Sequence, residues 1–248
     1  MENDDILRGR VLTRREALAA MGVVGMSGVL LYAGCSSATE VTSGSSDTTG
    51  SCVVRPELTE GPYYVDEELN RSDIRSDPST GTVKPGALLR LTVNVSQITG
   101  NACAALAGAV VDVWHCDALG VYSDVSDPSF DTVGQKFLRG YQVTDANGVA
   151  SFTTIYPGWY QGRAVHIHFK VHSASSSSSA YEFTSQLFFD DALTDQVHAQ
   201  QPYAAKGQRT LRNSGDGIYR QGGSQILRSV SQTSNGYAAT FDIALQIA

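Results

Sequence analysis

Leu89, Leu91, Val93 and Val95 alternate with Arg90, Thr92 and Asn94, and that spacing is the strongest constraint on what this chain can fold into. A two-residue period puts the four apolar side chains on one face of an extended strand and leaves the other face polar. The signal recurs: Val165 to Val171 alternates, and so do Phe241, Ile243, Leu245 and Ile247. Ala109 to Trp114 is a short apolar, β-branched run, and Gln186 to Phe189 is short and aromatic. Tyr141–Thr144 and Val149–Thr153 flank Asp145-Ala146-Asn147-Gly148, a turn sequence that predicts a hairpin. No segment carries a long 3.6-residue period. The expectation is an all-β fold, a β-sandwich of mostly antiparallel strands with long loops.

The first part of the 248-residue chain stands apart from that pattern. Arg14 and Arg15 precede an uncharged run of 18 residues, Ala17 to Gly34, which stops at Cys35. A positive region followed by an apolar stretch and small residues reads as an export signal over residues 1–35, and paired arginines point to the twin-arginine route. Gly22, Gly25, Gly28 and Gly34 weaken the run as a permanent membrane span. Leu31-Tyr32-Ala33-Gly34-Cys35 resembles a lipoprotein signal box, with Tyr32 where a small aliphatic residue is usual. Two outcomes stay open: lipidation at Cys35 with attachment to a membrane surface, or simple cleavage. Either places the protein outside the cytoplasm.

Residues 36–51 are rich in Ser, Thr and Gly and read as a tether, so the globular domain is expected over residues 52–248. Ser173 to Ala180 is expected to be an exposed loop. In an oxidising compartment two of Cys52, Cys103 and Cys116 can pair; the sequence does not choose the pair, and all three as small buried hydrophobes is the alternative. The net charge of −7 suits the chain poorly to neutralising phosphates, which argues against a nucleic-acid partner.

The chemistry starts from His166-Ile167-His168. On a strand, residues i and i+2 share a face and lie roughly 6.6 Å apart, so two imidazoles can converge on one metal ion. Alone, the pair reads equally well as two polar residues on a solvated face. Three neighbours shift that balance. Tyr160 lies in the turn-rich Tyr156-Pro157-Gly158-Trp159-Tyr160, Arg163 stands between it and the histidines, and Tyr122 ends the stretch that begins at Trp114. Two His with two Tyr is an unusual set for zinc. Phenolates are hard, strongly donating anions, and a phenol with a pKa near ~10 yields its proton only to a strong Lewis acid. Ferric iron, Fe(3+), is such an acid.

With these residues in view, the sequence resembles the intradiol ring-cleavage dioxygenases. The resemblance is carried by Thr59-Glu60-Gly61-Pro62-Tyr63-Tyr64, by Val111–Asp117 through Gly120-Val121-Tyr122-Ser123, and by Phe137–Gly140. It continues through Pro157–Tyr160, Arg163–Phe169 and Ser185–Phe189, in the family's order. It implies a sandwich with a transthyretin-like core, and Tyr122, Tyr160, His166 and His168 as ligands of ferric iron. It further implies a catechol-type substrate and O2 as reactants, and a cis,cis-muconate-type diacid as product. Tyr160 would leave the metal as catechol binds and take its second proton, Arg163 would stabilise developing charge, and Gln186 would support the site. Gly61, Pro62, Tyr63 and Arg163 would line the substrate. The chain departs from cytoplasmic relatives in having a tether in place of a helical N-terminal dimerisation segment. The short loop at Gln161-Gly162 suggests an open pocket and bulky aromatic substrates.

The remaining polar residues have plainer readings. Trp114 reads as core, His115 as solvated, and His172 and His198 as outside the motif. Asp124, Asp190 and Asp191 read as surface charges. Two other classes fit part of the pattern: a surface lipoprotein whose sandwich binds an aromatic or carbohydrate ligand without turnover, and a ferric-iron scavenger. The binding module has no reason to keep the whole Tyr/Tyr/His/His set together with Arg163; the scavenger would have similar ligands but no substrate pocket, and turnover of a catechol with oxygen uptake separates it.

Overall fold

A computed structural model describes residues 52–174 and 180–247. The expected export signal, Cys35 and the tether lie outside the described residues, as does the middle of the serine-rich stretch. Two sheets face each other. The first is built on β1 (Leu88–Thr99), which pairs in parallel with β12 (Gly236–Leu245); β11 (Val230–Thr233) closes that side. The other edge of β1 is shared by β7 (Val149–Ile155) and β2 (Ala102–Ala105), both antiparallel to it. The second sheet runs β10 (Leu227–Arg228), β9 (Glu182–Phe189), β8 (His166–His172), β3 (Val110–Trp114), β6 (Arg139–Val143). Strands β4 (Ser126–Asp127) and β5 (Phe130–Asp131) form a small separate hairpin.

The alternation in β1 does what its period requires. Leu89, Leu91, Val93 and Val95 are each 1 % exposed or less, while Arg90 faces solvent. They join Ile167, Phe169 and Val171 of β8 in one core, where Phe169 meets Phe241 of β12 with ring centroids 4.8 Å apart. Each such side chain contributes about 1.5–3 kcal/mol on burial. A one-residue slip of β8 would move all three of its apolar residues off the core face, so the register of the strand carrying the histidines is set by the residues between them.

The turn at Asp145–Gly148 forms as its composition predicts: the Asp145 carboxylate accepts from Asn147 N (2.8 Å) and Val149 N (2.9 Å), and Gly148 takes φ +75°. It does not make a hairpin. β6 pairs with β3 in one sheet and β7 with β1 in the other, so the turn carries the chain across the sandwich. Two short helices, α1 (Asp191–His198) and α2 (Gly217–Gln221), decorate the edge beyond β9. Asp190 caps α1 by accepting from Ala192 N and Leu193 N, and Asp191 pairs with Arg209, so both aspartates have structural partners.

The segment before β1 is strapped across both sheets. Cys52 is disulfide-bonded to Cys103 of β2, Val53 O accepts from Ala244 N (2.8 Å), and Leu58 N donates to Thr184 O (3.0 Å). Cys116 is buried and unpaired by disulfide.

Candidate metal centre

The outer face of the second sheet holds the site. Register places Arg139, Trp114, His168 and Gln186 in one cross-strand row, and His166 beside Phe188 in a neighbouring row. Residues directly opposite one another share a face, so β8 delivers both imidazoles outward while Ile167 enters the core. The outer face is nevertheless dry: His166, His168, Gln186 and Trp114 are each 2 % exposed or less, because loops cover them. Trp114 therefore belongs to the site layer, its indole stacked on His168 with centroids 5.0 Å apart and planes 9° apart.

Tyr122 arrives on the loop after β3. The Asp117 carboxylate organises that loop, accepting from Leu119 N (2.9 Å), Val121 N (3.0 Å) and Lys84 Nζ (3.0 Å). Tyr160 arrives on the loop after β7, and the two loops lie against each other. Gly158 N donates to Asp117 O (3.2 Å), and a Cβ at Gly158 would collide with the carbonyls of Asp117 and Ala118. Gly158→Ala is therefore expected to lose about 1–3 kcal/mol by overpacking backbone against backbone. Urea unfolding measures that loss, and a variant as stable as the parent would show that the two loops do not touch.

The four side chains named from sequence converge. His166 Nε2 lies 2.9 Å from His168 Nε2 and 3.3 Å from Tyr160 Oη, and the Tyr122 and Tyr160 rings meet edge-on at 5.7 Å. His166 Nδ1 donates to Ala164 O (2.7 Å), which leaves Nε2 with its lone pair turned into the cluster. Burial holds both imidazoles unprotonated: the His166 pKa falls to about 3, with Arg163 adding to the effect, and that of His168 falls well below the usual value, with His166 adding. The Tyr122 hydroxyl is buried beside the Tyr160 phenol without a well-formed hydrogen bond, and burial followed by that phenol pushes its pKa well up. Burial also raises that of Tyr160.

This donor set fits ferric iron. His168 Nδ1 and the Tyr122 hydroxyl are both buried without a well-formed hydrogen bond, a costly arrangement for a cluster that holds only its own protons. A strongly Lewis-acidic cation among the four side chains would use both Nε2 lone pairs and displace both phenolic protons. Among the described residues no group of three or more His, Cys, Asp or Glu is placed to hold a metal, so a cation here relies on the tyrosines.

The other residues singled out from sequence are placed as follows. Gly61 takes φ +76°, a conformation that favours glycine, and a Cβ on it would sit 3.2 Å from His168 Cε1, tighter than an ordinary contact. Tyr63 stacks on Tyr122 (centroids 4.6 Å), stands edge-on to Tyr160 and donates to Asp127 (2.8 Å). Burial, followed by that bond, raises its pKa to about 12. Pro62 is exposed. Arg163 donates from Nε to Asp216 (2.9 Å) and from Nη2 to Gln186 Oε1 (2.6 Å), with Nη1 3.4 Å from His166 Nε2. Gln186 Nε2 donates to Thr59 O (2.7 Å).

Three plainer readings need correction or completion. His115 is not solvated: it is 1 % exposed and lies within hydrogen-bond distance of Thr154 Oγ1 (2.6 Å) and Cys116 O (2.8 Å), and burial lowers its pKa to about 4. It keeps the phase of Val111 and Val113, and so points into the sandwich toward Thr154 of β7. His172 pairs with Asp112 (2.8 Å), and His198 lies 3.0 Å from Pro157 O. Asp124 accepts from Gly134 N (2.6 Å), a loop bond rather than a free surface charge.

Sequence reasoning missed Asp216. It is fully buried, and its carboxylate accepts from Ala164 N (2.7 Å), Arg163 Nε, Ile218 N (2.7 Å) and Tyr219 N (3.1 Å). Burial alone would raise its pKa, but the Ala164 amide and the Arg163 charge outweigh that and hold it below the ordinary carboxylate range. The available signal was a lone acid between glycines in Gly215-Asp216-Gly217, a helix-cap pattern. Arg139 was also passed over. It is buried behind Trp114, donating to Ser123 Oγ (2.8 Å) and to the carbonyls of Ser123 and Tyr63, so it ties the strap to the Tyr122 loop.

Comparison with known proteins bears on this geometry. A family model described as dioxygenase matches residues 59–246. Catechol 1,2-dioxygenase 1 of Acinetobacter lwoffii is 28% identical over 165 residues, covering 55% of this chain and 49% of that protein. The chain spans about half the length of the curated relatives it matches. Among solved structures, an intradiol ring-cleavage dioxygenase from Tetranychus urticae superposes with a TM-score of 0.68 at 30% identity, covering 79% of this chain and 95% of that one. The dioxygenase domain of a dioxygenase and carbohydrate-binding protein fusion from Streptomyces sp. SirexAA-E gives 0.55 at 26% identity, covering 79% and 99%.

Proposed function

Because the chain belongs to the intradiol ring-cleavage dioxygenase family, we propose that it is a ferric enzyme opening catechol-type rings between the two hydroxylated carbons, with both atoms of O2 entering a cis,cis-muconate-type diacid. The observation that carries this reading is the convergence of Tyr122, Tyr160, His166 and His168 in one buried cluster. These four would hold the iron. Ferric iron, when bound, supplies the Lewis acidity that draws electron density from the catechol oxygens and prepares the ring for attack on dioxygen.

The chain's own residues supply the rest. Tyr160, the more accessible of the two phenols, would be suited as a phenolate, its own proton having been displaced by iron, to take a proton from a catechol hydroxyl. Arg163, turned inward by Gln186 and Asp216, presents a fixed positive charge beside His166, where negative charge develops on the substrate. Tyr63, lying over Tyr122 and against Tyr160, gives a planar substrate an aromatic wall and helps exclude water. The Cys52–Cys103 disulfide and the paired arginines at 14 and 15 support an exported enzyme working on aromatics outside the cytoplasm, attached to a membrane if Cys35 is lipidated. The loop at Gln161-Gly162 is exposed, which suits bulky, lignin-type catechols.

The test is the visible spectrum of the purified protein, taken before and after anaerobic catechol, with oxygen admitted last. Phenolate bound to ferric iron gives a visible charge-transfer band. A band that shifts with catechol and relaxes as oxygen is consumed establishes ligand set and reaction together, and removal of the iron by a chelator should abolish both. A protein that stays colourless after ferric reconstitution would rule the iron site out.

A further inference from the structure

Arg163 carries a long side chain on a half-buried loop, and such a side chain gives up about 2 kcal/mol of rotamer freedom when held in one geometry. Something must hold it. Gln186 touches only the tip, at Nη2. The Nε contact, which fixes the plane and direction of the whole guanidinium, comes from Asp216 Oδ2 at 2.9 Å.

Asp216 is itself immobile. Its Oδ1 is bound by Ile218 N and Tyr219 N at the start of α2, its Oδ2 also takes Ala164 N, and the residue is 0 % exposed. The Ala164 bond matters separately, because the carbonyl of that same residue accepts from His166 Nδ1. One carboxylate thus grips the two adjoining residues that orient a guanidinium and a histidine tautomer. It touches none of the four clustered side chains.

Resting on the ring-cleavage reading above, we propose that Asp216 is a positioning residue for the reaction, acting through Arg163 by fixing the guanidinium beside His166, and not only as the cap of α2. The two roles separate in Asp216→Ser. A serine hydroxyl still caps the helix but is too short to reach Arg163 as well. Asp216→Asn, of the same shape, is the second variant should the first not fold; its amide nitrogen cannot accept from Arg163 Nε.

The experiment is a double-variant cycle on the full iron-loaded chain: parent, Asp216→Ser, Arg163→Gln and the pair together. Readouts are iron content, kcat and KM for catechol, and the melting temperature. Asp216→Ser should keep its iron and lower kcat by at least about tenfold, since a misplacement of about 1 Å in a positioning group can cost on the order of a hundredfold. KM should change by less than about threefold, because binding that is equal in ground and transition states is untouched. In the Arg163→Gln background the same substitution should lower kcat by a clearly smaller factor, on the order of a few-fold at most, the remainder reaching His166 through Ala164. Equal losses in both backgrounds, or an unchanged kcat, would overturn the proposal. If the parent itself consumes no oxygen with catechol, the ring-cleavage reading fails instead. The link between the two side chains is then read from melting alone: a double variant whose loss falls short of the summed single losses by about 2 °C or more keeps it, and strict additivity removes it.

Discussion

Tyr122→Phe is expected to make the iron-free protein more stable while destroying its capacity to hold ferric iron. The two effects share one cause. The Tyr122 hydroxyl is buried with the Tyr160 phenol beside it but no well-formed hydrogen bond, and an unsatisfied buried polar group costs about 1–3 kcal/mol. Phenylalanine keeps the ring, and with it the stacking against Tyr63 at 4.6 Å, but removes the oxygen. Urea unfolding of the chelator-treated variant should therefore show a gain of about 1 kcal/mol or more over the parent. Metal affinity should fall by more than the 10–100-fold typical of losing an outer-sphere partner, with the visible band weakened and shifted or lost. Most substitutions of buried residues lower stability, so a gain here would be a specific signature of a side chain kept for a ligand. A variant less stable than the parent in the absence of iron would mean that the phenol is structurally satisfied, and the case for a metal at this position would weaken accordingly.

Loss of the Cys52–Cys103 disulfide is the second large effect. The bond closes a loop across 51 residues, and the chain-entropy model assigns such a closure about 4 kcal/mol. Replacing both cysteines with serine should lower the melting temperature by roughly 8–16 °C for a domain of this size. The consequence should reach the site. The strap that begins at Cys52 passes under Ala244 N, docks on β9 and then presents Thr59 O to Gln186 and Gly61 to His168. Iron retention measured against temperature should fall earlier in the double-serine protein than in the parent. Unchanged melting would show that Val53, Leu58 and their partners hold the strap without the bond.

Much of the fold was legible, for a physical reason that also marks its limit. The alternation at Leu89–Val95 reports burial on one face, so the strand and its inward residues follow directly. It says nothing of the partner strand. That is why Asp145–Gly148 reads as a hairpin from sequence and crosses between sheets in the structure. Helices α1 and α2 escaped because eight and five residues are too few to show a helical period. The site divides in the same way. His166 and His168 announce themselves by spacing, and Tyr122 and Tyr160 by the company they keep. His115 was misjudged because its phase was read against Trp114 as a core residue; Trp114 stands on the outer face, and His115 keeps the inward phase of Val111 and Val113. Asp216 lies 50 residues beyond His166 in a glycine-flanked stretch without periodicity, and only the folded chain brings it under Arg163.

The parallel pairing of β1 with β12 sets an order of events in the cell. β12 lies inside its sheet, between β11 and β1, and Val53 at the start of the strap is held by Ala244 near the end of β12. The first sheet consequently has an open seam until β12 has left the ribosome, and the start of the strap, at Val53, has no partner before then. Closure of the first sheet thus waits on β12, and a chain cut short before Gly236 would present that side of β1 as a bare edge with nothing to zip against. A protein built this way would close over a bound metal only as a finished body. If it crosses a membrane already carrying iron, it must cross folded.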